Sequence, residues 1–213
     1  MSADRSSRAD ETRARLLSAA ERLFAERGLS AVSNRQISEA AGQGNNFAVG
    51  YHFGTRADLV LALLKAHQEP IDVIRKRMVA DIGYVAELRD WLRCLVQPQL
   101  EHIGTSPDPT YYGQFWRQLL NDPISVALVH QEAFTSEPLA TILDGMYRSL
   151  PALPESTVHV RNLMSQNTLI ATFADFERNR NELGALDTTS WSGFSDSMVD
   201  SLVGLWLAPV TTR

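Results

Sequence analysis

Cysteine is almost missing from this chain: Cys94 is the single one among 213 residues. A lone thiol excludes an intramolecular disulfide framework and fits a reducing, cytoplasmic compartment. Lysine is scarce too. Only Lys65 and Lys76 interrupt the arginines among 20 basic residues, a bias better matched to GC-rich codon usage than to any function. No run approaches the ~18–20 apolar residues of a membrane span. The opening "MSADRSSRADETRARL" has no apolar core of the kind a signal peptide needs, so neither secretion nor a membrane partner is expected. Strand signals are also lacking, since nowhere do four or more residues alternate convincingly between apolar and polar. The scattered histidines have no metal-ligand spacing. His102 follows Glu101, but no second ligand stands four residues on, so no metal and no cofactor is expected. The glycine-rich "GQGNNFAVG" lacks the phosphate-loop pattern GxxxxGK[ST] and follows no strand. No GxSxG or comparable signature marks a nucleophile, so enzymatic catalysis is not the expected function.

What remains is helix. Hydrophobic residues make up 44% of the chain, enough for a proper core. In "TRARLLSAAERLFAERG", Leu16, Leu17, Ala20, Leu23 and Phe24 share one face, and Gly28 is placed as a stop. "SNRQISEAAG" follows, with Ser33 and Gln36 spaced as a capping box and Gly42 ending two turns. A short helix is expected over 46–53. Thr55 then caps a longer one, with Asp58 at its third position, and Pro70 is expected to kink or split it. Further helical stretches include "VAELRDWLRCLVQPQLEHIG", "YYGQFWRQLLND", "ISVALVHQEAF" and "LATILDGMYRSL", and two longer segments, 155–182 and 188–207, close the chain. The expectation is an all-α protein of nine or ten helices.

Charge is unevenly placed. Residues 1–56 hold eight arginines against six acids, about +2, whereas 57–213 hold 12 basic residues against 19 acidic ones, about −7, together the net −5. A positive segment on an acidic body still places cations where a phosphate backbone needs them. Residues 33–53, two short helices around "GQGN" braced by a longer preceding one, have the outline of a helix-turn-helix. In it Gly42 and Gly44 supply a tight turn with positive φ, and Asn45 caps the next helix. Low charge on that helix is no contradiction, because base edges are read by amides and apolar contacts.

The combination of Leu-Phe-x-x-x-Gly closing the first helix, Ile-x-x-Ala-Ala-Gly in the second and Tyr-His-Phe before a capped fourth resembles the DNA-binding domain of TetR-family transcriptional regulators over residues 11–64. The resemblance implies a helix-turn-helix domain over 1–56, starting near residue 11 after a flexible arm. A helical effector-binding and dimerisation domain over 57–213 would follow. Arg35 matches a residue that reaches a base edge or phosphate; Asn46 and Phe47 match exposed positions of the recognition helix. Tyr51 and His52 match the pair that grips the backbone, and Arg56 matches a phosphate-contacting Lys. Asn45, beside them, is chiefly a cap. The turn is one residue longer than the commonest form, and Gly50 stands where a phosphate-contacting Tyr is frequent. The implied function is a one-component regulator, a repressor released from a palindromic double-stranded operator by a small molecule. A helical protein-interaction module that has lost DNA binding is the alternative.

Two further expectations concern the second domain. Trp191, Phe194, Met198, Leu202 and Leu205 form a stripe, while Val203, Trp206 and Leu207 make the end of that helix apolar on several sides, so 158–182 and 188–207 are expected to form a homodimer interface. A small apolar or aromatic effector is expected against Tyr112, Phe115, Trp116 and Leu119, faced by Met164, Asn167 and Phe173. Trp91, Cys94 and His130 would complete that wall. Such stripes are also ordinary core.

Overall fold

The computed structural model describes residues 2–83, 85–106, 109–122, 136–183 and 188–211. Nine helices run through these residues. They are α1 (Ser2–Arg27), α2 (Asn34–Ala40), α3 (Ala48–Phe53), α4 (Arg56–Asp81), α5 (Leu88–Thr105), α6 (Tyr112–Leu120), α7 (Glu137–Arg148), α8 (Glu155–Leu183) and α9 (Thr188–Leu207). No strand occurs among the described residues. The helix expected over "ISVALVHQEAF", with His130, lies outside them.

Local chemistry sets the helix starts. Ser33 accepts from the Gln36 N–H while the Gln36 side chain accepts from the Ser33 N–H at 2.8 Å. Thr55 and Asp58 make the same reciprocal pair at the head of α4. Each pair satisfies backbone donors that a helix start leaves open. α1 reaches back to Ser2, where the sequence predicts an arm up to residue 11. That stretch holds no Gly or Pro to stop a helix, and Glu11 and Arg15 pair one turn apart at 2.6 Å. α4 is likewise continuous through Pro70, against the expected break. Leu63 and Leu64 before the proline, and Ile71 and Arg75 after it, are all buried, so packing on both sides spans the lost hydrogen bond.

Two cores result. The first joins Leu16, Leu23 and Phe24 of α1, Ile37 of α2, Val49 and Phe53 of α3, and Leu59 and Leu63 of α4. Phe115 and Leu119 of α6 complete it, with the Phe115 ring stacked 6.2 Å from Phe24. The second gathers α5, α7, α8 and α9 around Leu92, Val96, Met146, Phe173, Leu202 and Trp206. At the end of α9, Arg161 of α8 donates to the carbonyls of Trp206 and Ala208, acceptors that no helical N–H can reach. α4 and α6 belong to both halves, so the first core continues beyond the boundary at 56 read from the sequence.

Candidate functional site

The helix-turn-helix presents an unusual surface. Gly42 turns the chain with φ +69°, whereas Gly44 is not in the left-handed region, so one glycine rather than two carries the turn. Asn45 Oδ1 accepts from the Phe47 N–H at 2.9 Å, and Phe47 occupies the N-cap of α3. α3 therefore begins at Ala48, two residues later than expected, because the asparagine holds 46 and 47 in a turn. The faces of this short helix divide cleanly. Ala48, Val49 and Phe53 are buried, while Asn46 is exposed and Phe47 and Tyr51 are 80% and 84% exposed. His52 sits edge-on to Tyr51, with ring centroids 5.1 Å apart. Large rings held in water on a helix whose other face is packed are a surface available for contact.

The basic residues around it behave differently from one another. Arg35 is exposed and bonds Glu39 at 2.8 Å, a bond that raises its proton affinity and leaves it at the surface. Arg56 does not join that surface. Its guanidinium donates to the Leu29 carbonyl and lies 4.7 Å over the Phe24 ring, and burial lowers its proton affinity against the opposing charge of Asp122. Arg56, for which a phosphate contact is expected, here clamps α4 to the end of α1.

In the second half, α4 to α9 enclose a cavity of about 600 Å³, within the ~300–1,000 Å³ of ligand pockets. Its wall is mostly aliphatic and aromatic. Of the residues expected there, Tyr112, Trp116 and Phe173 line it. Phe115 and Leu119 instead enter the first core. Cys94 is fully buried outside the lining, its thiol pushed up to about 11 by burial and the charge of Asp90. Trp91 packs against Gly145 of α7, also outside the lining. Met164 is exposed, and Asn167 is exposed with its amide turned back to the Leu163 carbonyl at 2.8 Å. Helical phase explains the miss: nine residues from 164 to 173 make two and a half turns, at about 3.6 residues per turn, and so end on opposite sides of α8.

The residues that take those places are Asn162, Ser165, Gln166 and Leu169, together with Leu139, Leu143, Met146 and Tyr147 of α7, and Gln68 and Arg75 of α4. A signal for the last two exists in the sequence. Leu64, Gln68, Ile71 and Arg75 step by four, three and four along one face, so polar groups interrupt a stripe that ought to be apolar. Arg75 is 2% exposed and bonds Asp72 at 2.9 Å. Asp72 in turn accepts from Ser136, the N-cap of α7, at 2.8 Å.

From the cavity a polar chain leads back to α1. The Tyr112 hydroxyl donates to Gln99 at 2.7 Å, and its ring lies 4.5 Å from that of His67. His67 Nδ1 is 2.8 Å from His102 Nε2, and His67 Nε2 is 3.2 Å from Glu21 of α1. Burial and the neighbouring His67 lower the His102 pKa to about 4, against the pull of Glu21, so it is neutral at pH 7. Among the described residues no group of His, Cys, Asp and Glu could hold a metal ion, and no helix is long and apolar enough to cross a membrane.

Comparison with known proteins agrees with this division. Residues 16–63 match the bacterial regulatory proteins of the tetR family, and residues 93–204 match the tetracyclin repressor-like C-terminal domain. The chain is 42% identical over 64 residues to the HTH-type transcriptional regulator TtgR of Pseudomonas putida. The same figures hold for ArpR, a probable HTH-type transcriptional regulator of the same species. Each match covers 30% of this chain and 30% of the relative, so the likeness to these curated proteins spans less than a third of their length. Among solved structures, a TetR-family regulator from Marinobacter aquaeolei VT8 superposes with TM-score 0.60 at 15% identity, covering 92% of this chain and 97% of that one. One from Mesorhizobium loti gives 0.50 at 13% identity, over 93% and 98%. At such identities the likeness is one of fold.

Proposed function

Because the chain belongs to the TetR family of bacterial regulatory proteins, we propose that it is a one-component transcriptional repressor, released from a palindromic operator when a small molecule fills the cavity. The observation that carries this reading is the position of α6. One face, with Tyr112, Gly113 and Trp116, lines the cavity, while Phe115 and Leu119 lie in the core of the helix-turn-helix half. A ligand pressing on one part of so short a rigid helix displaces the other. The cavity and the DNA-reading surface are then two sites biasing one two-state element, which is what coupling between them requires.

On DNA, Tyr51 and His52 grip the backbone, with Arg35 within reach of it, and Asn46 and Phe47 meet base edges; an amide suits adenine and a ring edge suits a thymine methyl. Two heads are needed for a palindrome, and α8 and α9 provide the contact between copies. Val160, Leu163 and Met164 stand exposed along α8 and Leu207 at the end of α9, while Gly193, Ser197, Ser201 and Gly204 keep the exposed face of α9 small. Leu202 and Trp206, counted from the sequence among residues needing a partner, are buried within the protomer, and the side chain of Trp191 lies outside the described residues. The interface is therefore centred on α8.

A gel shift on duplex DNA flanking the protein's own gene tests the proposal. Affinity is expected to fall steeply as salt rises, through counterion release, and to vanish in a Tyr51→Ala, His52→Ala double variant. Absence of a shift on every duplex tried would favour an interaction module.

A further inference from the structure

We propose that His67 carries the effector signal to the DNA-reading half: a ligand in the cavity displaces the imidazole, and its pairing with Glu21 of α1 opens. The inference rests on the reading of the cavity as the effector site and names the contact through which that site acts. His67 is a side chain of α4 that meets three other helices at once. On α6, the Tyr112 ring lies 4.5 Å away, tilted by 32°. On α5, His102 Nε2 stands 2.8 Å from its Nδ1. On α1, Glu21 Oε1 stands 3.2 Å from its Nε2. Both ring nitrogens are thereby engaged, and the His67 and Glu21 side chains are only 13% and 14% exposed.

The helices that hold the ring, α1 excepted, also wall the cavity. Leu64 and Gln68 flank His67 on α4, Gln99 stands one turn before His102 on α5, and Tyr112 is itself a wall residue. No described residue of α1 lines the cavity. Whatever fills it therefore bears on the supports of the ring and reaches α1 only through contacts such as this one. The two polar bonds of the ring differ in quality. A carboxylate facing Nε2 calls for an N–H there, and two imidazole nitrogens 2.8 Å apart share one hydrogen in a short bond. Glu21 Oε1 is buried but makes no hydrogen bond among the described residues, so α1 is held here by attraction without alignment. A displaced ring keeps His102 and loses Glu21 first. A buried carboxylate deprived of its counterpart is costly, and α1 relieves that cost by moving Glu21 towards water. Since α1 braces the helix-turn-helix through Leu16, Leu23 and Phe24, its shift moves the DNA-reading surface. The joint is then a two-state contact that the ligand and the operator bias in opposite directions.

The test uses the full chain and imposes occupancy of the cavity. Leu143→Cys puts a thiol on the wall, and benzyl methanethiosulfonate converts it to a benzyl mixed disulfide. The native Cys94 is fully buried, its thiol pushed up to about 11, and stays unmodified. Mass spectrometry counts one benzylthio group, and gel shifts on the operator duplex give the affinity with and without it. Labelling is expected to weaken operator binding about 10-fold or more. Two further variants are made in this background: Glu21→Met, and Glu21→Met with His67→Phe, which strands neither partner and keeps a ring beside Tyr112. Each should respond to the label by less than about 2-fold. The exchange Glu21→His with His67→Glu returns an imidazole and a carboxylate to the joint in reversed places, the carboxylate still able to accept from His102. It should recover the response, which a merely structural role for either residue would not produce. A full response in both Glu21→Met variants, or an exchange that recovers nothing, overturns the joint and leaves the cavity as the effector site. Operator binding unmoved by the label in the Leu143→Cys chain overturns the effector reading and the joint together.

Discussion

Arg56 stands in the first turn of α4, where a phosphate contact belongs, yet its guanidinium points into the protein against the Leu29 carbonyl and the Phe24 ring. Its loss therefore removes one of the two donors on the Leu29 carbonyl, leaving only the Val32 N–H at 3.4 Å, and uncovers an aromatic face. Arg56→Met is expected to cost about 1–2 kcal/mol of stability by urea unfolding while changing the salt slope of DNA binding by well under the ~0.9 per phosphate contact. Tyr51→Ala should do the reverse, since a side chain 84% exposed has little to lose on folding. A normal unfolding midpoint in Arg56→Met, coupled with a flattened slope, would return this residue to the DNA surface. His102 supplies a second prediction at this scale. Its pKa falls from an ordinary 6.5 to about 4 in the folded protein, so between those values the unfolded chain binds more protons. Stability is then complete above about pH 6.5 and is lost as pH falls towards 4. His102→Gln should flatten the urea midpoint across that window. Glu177, raised chiefly by burial, contributes in the opposite sense and remains in the variant.

Among the elements, α6 is the shortest in the second half and the most constrained. Gln114 N–H donates to the buried Glu177 at 3.0 Å, and the preceding loop is held by Asn181 on the Thr110 carbonyl at 2.7 Å. Gly113 lets α6 touch α8 directly, since a Cβ there would stand 2.9 Å from Ala174 N and 3.0 Å from the Phe173 carbonyl. Both are backbone atoms that cannot swing aside. Gly113→Ala must therefore push the helices apart, at about 1–3 kcal/mol. Thermal unfolding should show that loss, and ligand binding should release operator DNA less effectively than in the parent. An unchanged melting temperature would mean that α6 slides freely over α8, which would remove it as the transmitting element.

For the whole molecule the property to test is the proposed pairing of two heads. Leu163 is 47% exposed with Val160 and Met164 beside it, so the single protomer gains little from these side chains. Leu163→Asp should leave helical content unchanged, yet give the mass of a monomer in sedimentation at micromolar concentration. Operator affinity should fall by about 10²–10⁴, because the second head no longer benefits from the linkage of the first. A dimer mass in this variant would move the interface away from α8.

The caps of α2 and α4 were legible in the chain itself, because they depend on neighbours within one turn, Ser33 with Gln36 and Thr55 with Asp58, as was Gly42 in the turn; the starts of α1 and α3 were not. The helix-turn-helix surface was legible as well, since its exposed Asn46, Phe47 and Tyr51 lie within six consecutive residues. Tertiary packing decided what local sequence leaves open. It carried α4 through Pro70, turned Arg56 inward, and split α6 between the first core and the cavity, sending Phe115 and Leu119 one way and Tyr112 and Trp116 the other. It also chose which face of α8 meets the cavity. The chain could show that Met164, Asn167 and Phe173 were available for a binding wall, but a long helix wets several of its faces at once. Only the helices laid against it determine that Asn162, Ser165 and Phe173 turn inward together while Met164 and Asn167 face out.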